Sequence, residues 1–147
     1  MIPTPHIVRH ILLTAVLVLL FGATFSARAQ HAAIQIGAEE LQQLVMEQAV
    51  LIDVRRQDEW QRTGVVENSN LVTFFDQSGN YNAAAWLSDI SAFSNPNDPI
   101  VLICQTGSRS GVIASWLAGQ MGYSAVYNLQ PGIVEWMRKG LPVSAVN

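Results

Sequence analysis

The sequence predicts an α/β fold, an open parallel sheet with helices on both faces in a single domain, and three observations carry that expectation. Val50-Leu51-Ile52-Asp53-Val54 and Ile100-Val101-Leu102-Ile103 are near-continuous apolar runs rather than alternating ones, the pattern of strands buried on both faces. The second run passes through a short glycine-containing loop directly into residues with helical apolar spacing. Strand-like and helix-like stretches also alternate along the rest of the chain, as they do where crossover helices join parallel strands.

The elements follow in order. The first 29 residues contain Arg9 and His10, then the apolar stretch Ile11 to Phe25, then Ala27-Arg28-Ala29 ahead of Gln30. A charged start, an apolar centre and an A-x-A site make a secretory signal. Cleavage after Ala29 is expected, leaving residues 30–147 as one domain in the periplasm or outside the cell. The alternative is an uncleaved membrane anchor, for which the stretch is shorter than the ~20 residues that span a bilayer.

Ile34-Gln35-Ile36 before Gly37 starts a short strand, and Ala38 to Gln48 carries Leu41, Leu44 and Val45 at helical spacing. Val50 to Val54 is the second strand, with Asp53 near its carboxyl end. Two roles are open to this acid. It can cap the following turn or helix, or it can orient a basic group across the carboxyl edge of the sheet, where strand ends gather around a ligand crevice. Arg55, Arg56, Asp58 and Glu59 around Trp60 read as a solvated helix start with structural ion pairs and one aromatic turned inward.

Leu71 to Phe75 reads as a short strand and Asp76 to Asn80 as a turn, and Trp86, Leu87, Ile90 and Phe93 form the apolar face of a further helix. Pro96 and Pro99 close the connector to the strand at 100–103. Beyond it a helix from Gly111 to Met121, beginning near Ser110, places Val112, Ile113, Trp116, Leu117 and Met121 on roughly one face. Ala125-Val126-Tyr127 suits a last strand, Gln130-Pro131-Gly132 a tight turn, and Ile133 to Lys139 a short helix. Trp136 belongs in the core rather than on a ligand platform.

Composition excludes several classes. The formal net charge is −3, and loss of Arg9 and Arg28 with the signal makes the chain more acidic, which disfavours nonspecific nucleic-acid binding. Cys104 is the single cysteine, so no disulfide can form within the chain although export would place it where disulfides persist. Among three histidines, His6 and His10 lie in the signal and His31 lies beside the new terminus. A Cys-His dyad and a multi-histidine metal site are therefore disfavoured, and neither a metal nor a cofactor is expected.

The stretch with the most chemical content is Cys104-Gln105-Thr106-Gly107-Ser108-Arg109-Ser110, between a buried strand and a helix start. Unpaired N–H groups and the positive end of a helix dipole favour negative charge there. Gly107 lets the loop curl without a Cβ clash, and Arg109 adds a permanent cation with a fork of donors.

This stretch, CQTGSRS, resembles the active-site loop of the rhodanese family of sulfurtransferases, whose pattern is Cys-x-x-Gly-x-Arg followed by Ser or Ala. LIDVRRQDEW at 51–60, GVVENSNLV at 64–72 and YNLQPGIVEWMRKGLPV at 127–143 fall in the order which that family shows. The resemblance implies a rhodanese-like fold and a sulfurtransferase. In such an enzyme Cys104 takes a sulfane sulfur from a donor such as thiosulfate, holds it as a persulfide and yields it to a thiophilic acceptor. It implies Cys104, Arg109 and, through the Asp-Val-Arg motif, Asp53 as catalytic residues. Gln105, Thr106, Gly107, Ser108 and Ser110 then bind substrate, and Arg109 holds either the loop or the donor's oxyanion. The partners implied are a small-molecule donor and acceptor, with an exported protein partner as a further possibility.

The chain departs from the family in three places. Gly64-Val65-Val66-Glu67-Asn68-Ser69 stands where the family usually has Gly-His-Ile-Pro-Gly-Ala, which bears on substrate choice. Pro131-Gly132 replaces a common Gly-Gly, and Gln105, Thr106 and Ser108 supply no second cation. Two rival readings stand beside the enzyme. One is a sulfur-carrying module that delivers only to a protein partner. The other is a cysteine phosphatase on the same fold, but those separate cysteine and arginine by five residues, whereas four separate Cys104 and Arg109.

Overall fold

Five parallel strands form one sheet in the order β1-β5-β4-β2-β3. The computed structural model describes residues 31–147, and the expected signal, with His6 and His10, lies outside the described residues. The strands are β1 (Ile34–Ile36), β2 (Val50–Asp53), β3 (Asn70–Leu71), β4 (Ile100–Ile103) and β5 (Val126–Leu129). The helices are α1 (Ala38–Met46), α2 (Gln57–Thr63), α3 (Ala83–Ile90), α4 (Ser108–Trp116) and α5 (Ile133–Arg138), and a π-turn at Leu117–Met121 extends α4.

The strand in the middle of the sheet, β4, is buried at every residue. Because side chains alternate across a sheet, it feeds two cores. Ile100, Leu102 and Cys104 join Ile52, Val54, Ile90 and Ile113 on one face, and Val101 and Ile103 join Leu41, Leu51, Ile133 and Trp136 on the other. Helices α3 and α4 cover the first face and α1 and α5 the second, as expected from the unbroken apolar runs. Full burial of each aliphatic side chain contributes about 1.5–3 kcal/mol, so β4 is a rigid base for the loop that leaves its carboxyl end.

Four expectations are corrected. Leu71 to Phe75 is not a continuous strand: only Asn70–Leu71 pair with β2. Val72 and Phe74 then keep single N–H bonds to Asp53 O and Val54 O. The chain leaves the ladder because Phe74 packs its ring among Phe75, Tyr81, Trp86 and Trp116, with centroids 4.8–6.3 Å away. Val112, placed on the apolar face of its helix, is 65% exposed instead, and Phe93 lies past the end of α3, also exposed. Finally, α4 begins at Ser108, two residues earlier than expected, with Gly107 as its N-cap in the left-handed region at φ 88°.

The atypical stretch after α2 has a defined course. Val65 forms an antiparallel bridge with Ser144, its N–H donating to Ser144 O at 3.0 Å, and Val66 enters the α1–α5 core. The C-terminal tail is thereby fixed against this stretch. Trp136 is buried as expected, its Nε1 donating to Pro142 O.

Candidate active site

Alternation along β4 turns Cys104 toward the α3–α4 face, and the loop that follows folds back over it. The side chain is nearly fully buried, 1% exposed, and Sγ accepts the Gly107 N–H at 3.1 Å. The first turn of α4 begins immediately after that amide, so the sulfur lies at the positive end of a helix.

The loop is held from outside by β5 and α5. Asn128 Nδ2 donates to Gly107 O at 3.0 Å and to Gln35 Oε1 at 2.7 Å. Ile133 N–H donates to Cys104 O at 2.9 Å, and Val134 N–H to Gln105 O at 3.2 Å. The turn before α5 makes this possible only because it has no side chain at Gly132. A Cβ there would sit 2.5 Å from Gln105 O, and one at Gly107 would sit 1.9 Å from Gln130 Oε1. Both glycines also have positive φ, 80° and 88°, which other residues adopt at a cost. The motif glycine and the Pro-Gly turn thus form one contact.

Arg109, on the first turn of α4, directs both terminal nitrogens at Glu59, 2.8 Å and 2.6 Å from its carboxylate oxygens. Glu59 is buried, and its Oε2 also accepts the Arg56 N–H, closing the N-terminus of α2. Burial alone pushes the Glu59 carboxyl up. The hydrogen bonds from Arg109 and Arg56 and their charges outweigh burial and bring it down to about 2. In turn, the hydrogen bonds to Glu59 raise the Arg109 guanidinium above its already high value.

The orienting contact that Asp53 offered to Arg109 is not made. Asp53 is fully buried, and instead accepts three hydrogen bonds from the Arg55 guanidinium, at 2.9, 3.0 and 2.7 Å, and one from the Arg55 N–H. Arg55, 1% exposed, spans on to Thr63 Oγ1 and Gly64 O at the end of α2. Parity explains the difference. Asp53 pairs in register with Ile103, whose side chain faces the α1–α5 core, opposite to the α4 side of the sheet. Of the two roles open to it, the structure gives Asp53 the turn-capping one. The charged cluster at 55–59 is correspondingly less solvated than expected, since Arg55 and Glu59 are buried and only Arg56 and Asp58 face water.

The other expected loop residues divide by exposure. Gln105, Thr106 and Ser108 are exposed, with the Thr106 and Ser108 hydroxyls 3.5 Å apart. Ser110 is fully buried, and its Oγ has no hydrogen-bond partner among the described residues. Beside Arg109 opens a cavity of about 410 Å³ lined by Arg56, Phe75, Asp76, Gln77 and Gly79. Sequence reasoning missed Glu59 as the partner of Arg109. Its place three residues after Arg56 was a readable signal only for the cap, where a carboxylate reaches back to a helix N-terminus, and not for the pairing with Arg109.

The Rhodanese-like domain family matches residues 37–139. The chain is 34% identical over 98 residues to Rhodanese-like/PpiC domain-containing protein 12, chloroplastic, of Arabidopsis thaliana. That match covers 64% of this chain and only 29% of the plant protein's length. It is 30% identical over 102 residues to the thiosulfate sulfurtransferase GlpE of Pseudomonas savastanoi pv. phaseolicola, covering 69% of this chain and 85% of that protein. In fold it is similar to the polysulfide-sulfur transferase homodimer of Wolinella succinogenes, with a TM-score of 0.61 at 22% identity over 88% of this chain and 90% of the other. The family match runs over most of the sequence and includes the Cys104 loop, and the chain belongs to the Rhodanese-like domain family.

Proposed function

We propose that the protein is a sulfurtransferase that carries a sulfane sulfur on Cys104. The observation that supports this best is the bond from the Gly107 N–H to Cys104 Sγ, in a loop closed after four intervening residues by Arg109. A ring of this size encloses a sulfur and its immediate neighbour rather than a tetrahedral phosphate.

In the first step the Cys104 thiolate attacks the outer sulfur of a donor such as thiosulfate. The donor's S–S bond breaks, its electron pair leaves on sulfite, and a persulfide anion remains on Cys104. In the second step an acceptor nucleophile, for example cyanide, attacks the outer sulfur, and the thiolate is released with thiocyanate as product. The helix end and the loop amides offset the anion's charge between the steps. Arg109, with both terminal nitrogens on Glu59, holds the loop in shape, and Asp53 with Arg55 braces the strand end beneath it.

Such a reaction gives ping-pong kinetics. Initial rates with thiosulfate and cyanide should yield parallel double-reciprocal lines and vanish in Cys104→Ser. Intersecting lines, or turnover that survives Cys104→Ser, would refute the mechanism. We further propose that the A-x-A signal at residues 27–29 directs export, so that donor and acceptor meet the protein outside the cytoplasm.

A further inference from the structure

Asn128 is a buried polar residue inside β5, and its Oδ1 has no hydrogen-bond partner among the described residues. A buried acceptor left unpaired costs stability, so a gain elsewhere must offset it. That gain lies at the other end of the amide. Asn128 pairs in register with Leu102, which faces the α4 side of the sheet, and with Gln35 on β1. Both Nδ2 hydrogens are used there, one on Gly107 O at 3.0 Å and one on Gln35 Oε1 at 2.7 Å.

Gly107 O already has a donor, because the Gly111 N–H closes the first turn of α4 on it at 2.9 Å. The Asn128 bond is therefore not needed to satisfy that carbonyl, and its effect falls on the rest of the same peptide. The peptide is planar and trans, so a carbonyl held toward the body of α4 and Asn128 sends the Ser108 N–H the opposite way. That way is out of the helix start, where Cys104 lies and where the first N–H groups of a helix have no intrahelical partner. A second hydrogen bond on the carbonyl also polarises the peptide and strengthens its N–H as a donor. The helix leaves space for the contact. A Cβ on Gly111 would sit 3.1 Å from Asn128 Nδ2, although alanine at this position within α4 would favour the helix.

We propose that Asn128 is a positioning residue of the sulfur transfer. Its bond to Gly107 O, with Gln35 setting the direction of the amide and Gly111 leaving the room, aims the Ser108 N–H at the thiolate of Cys104 and at the persulfide anion that follows it. This rests on the sulfurtransferase reading and adds to it a residue that acts only through the loop.

The test reads the thiol without requiring turnover. Alkylation of Cys104 by iodoacetamide is followed across pH in the wild type, Asn128→Ala, Gly111→Ala and Gln35→Ala, with circular dichroism melts beside it. Arg109 with Glu59 and Asp53 with Arg55 are the charged groups on the elements packed around the loop. They are paired with one another and unchanged in every variant, so a shift reports the amide. The alkylation profile should move to higher pH by about half a unit in Asn128→Ala, a factor of roughly three in thiolate population, and by less in the other two variants. The kcat/KM for thiosulfate should fall roughly tenfold in Asn128→Ala, short of the hundredfold or more lost with an oxyanion donor itself.

Gly111→Ala separates positioning from packing, because it should melt no lower than the wild type and still react less. It also carries the test if Asn128→Ala does not fold. A profile that coincides with the wild type's in Gly111→Ala, or in folded Asn128→Ala, would overturn the role of Asn128 and leave the sulfurtransferase intact. Shifted profiles in a protein that takes no sulfur from any donor would uphold that role and remove the reading on which it rests.

Discussion

Glu59 is the residue on which the reactive loop's geometry turns, because one carboxylate caps α2 and holds Arg109. Its value of about 2 in the folded protein lies below the ordinary carboxylate range near 4.3. The unfolded chain therefore binds this proton more readily than the folded one as pH falls. The stability that Glu59 contributes is fully present above about pH 4.5 and is lost on acidification toward pH 2. Thermal melts across that window should show a fall in the wild type that is smaller in Glu59→Gln, and an identical fall in both would place the effect elsewhere. At neutral pH Glu59→Gln should cost about 1–3 kcal/mol of stability and reduce sulfur transfer by roughly ten- to a hundredfold through misplacement of the loop. Asp53→Asn should act differently. It leaves the fully buried Arg55 without its carboxylate, so urea unfolding should show a loss of about 3–5 kcal/mol, while the specific activity of the folded fraction changes little. A variant of unchanged stability but abolished turnover would restore a direct catalytic role to Asp53.

At the scale of elements, the loop after β4 and the turn before α5 form one unit, joined through glycines. Gly132→Ala would drive a Cβ against the Gln105 carbonyl and impose the strain of a left-handed residue. A loss of roughly 1–3 kcal/mol and a slower Cys104 reaction should follow, read by circular dichroism melts and by the rate of alkylation. Unchanged melting and alkylation would mean that the turn yields freely. The strand and loop at 100–110 were legible in the sequence because burial on both faces writes a continuous apolar run and the motif is local. The course of residues 72–75 was not, since Val72-Thr73-Phe74-Phe75 has high strand propensity and only packing of Phe74 among distant rings takes it off the ladder. The Glu59–Arg109 pair was likewise hidden, as it joins residues 50 positions apart. That Asp53 pairs with Arg55 rather than Arg109 follows from strand parity, but only once the register with Ile103 is known.

At the scale of the whole molecule, the sheet delivers one cysteine to its carboxyl edge and surrounds it with two braces, α5 behind the loop and Glu59 beside it. The expected export can be checked by N-terminal sequencing of protein recovered from the periplasm, which should begin at Gln30; a mature chain that begins at Met1 would contradict it. The central claim, however, concerns sulfur on Cys104, and the most direct measurement is intact-protein mass spectrometry after brief incubation with thiosulfate or another sulfane-sulfur donor. The account predicts a gain equal to one sulfur atom on the wild type, discharged by cyanide and absent in Cys104→Ser. No gain from any of several donors, together with aryl phosphate hydrolysis that depends on Cys104, would contradict it.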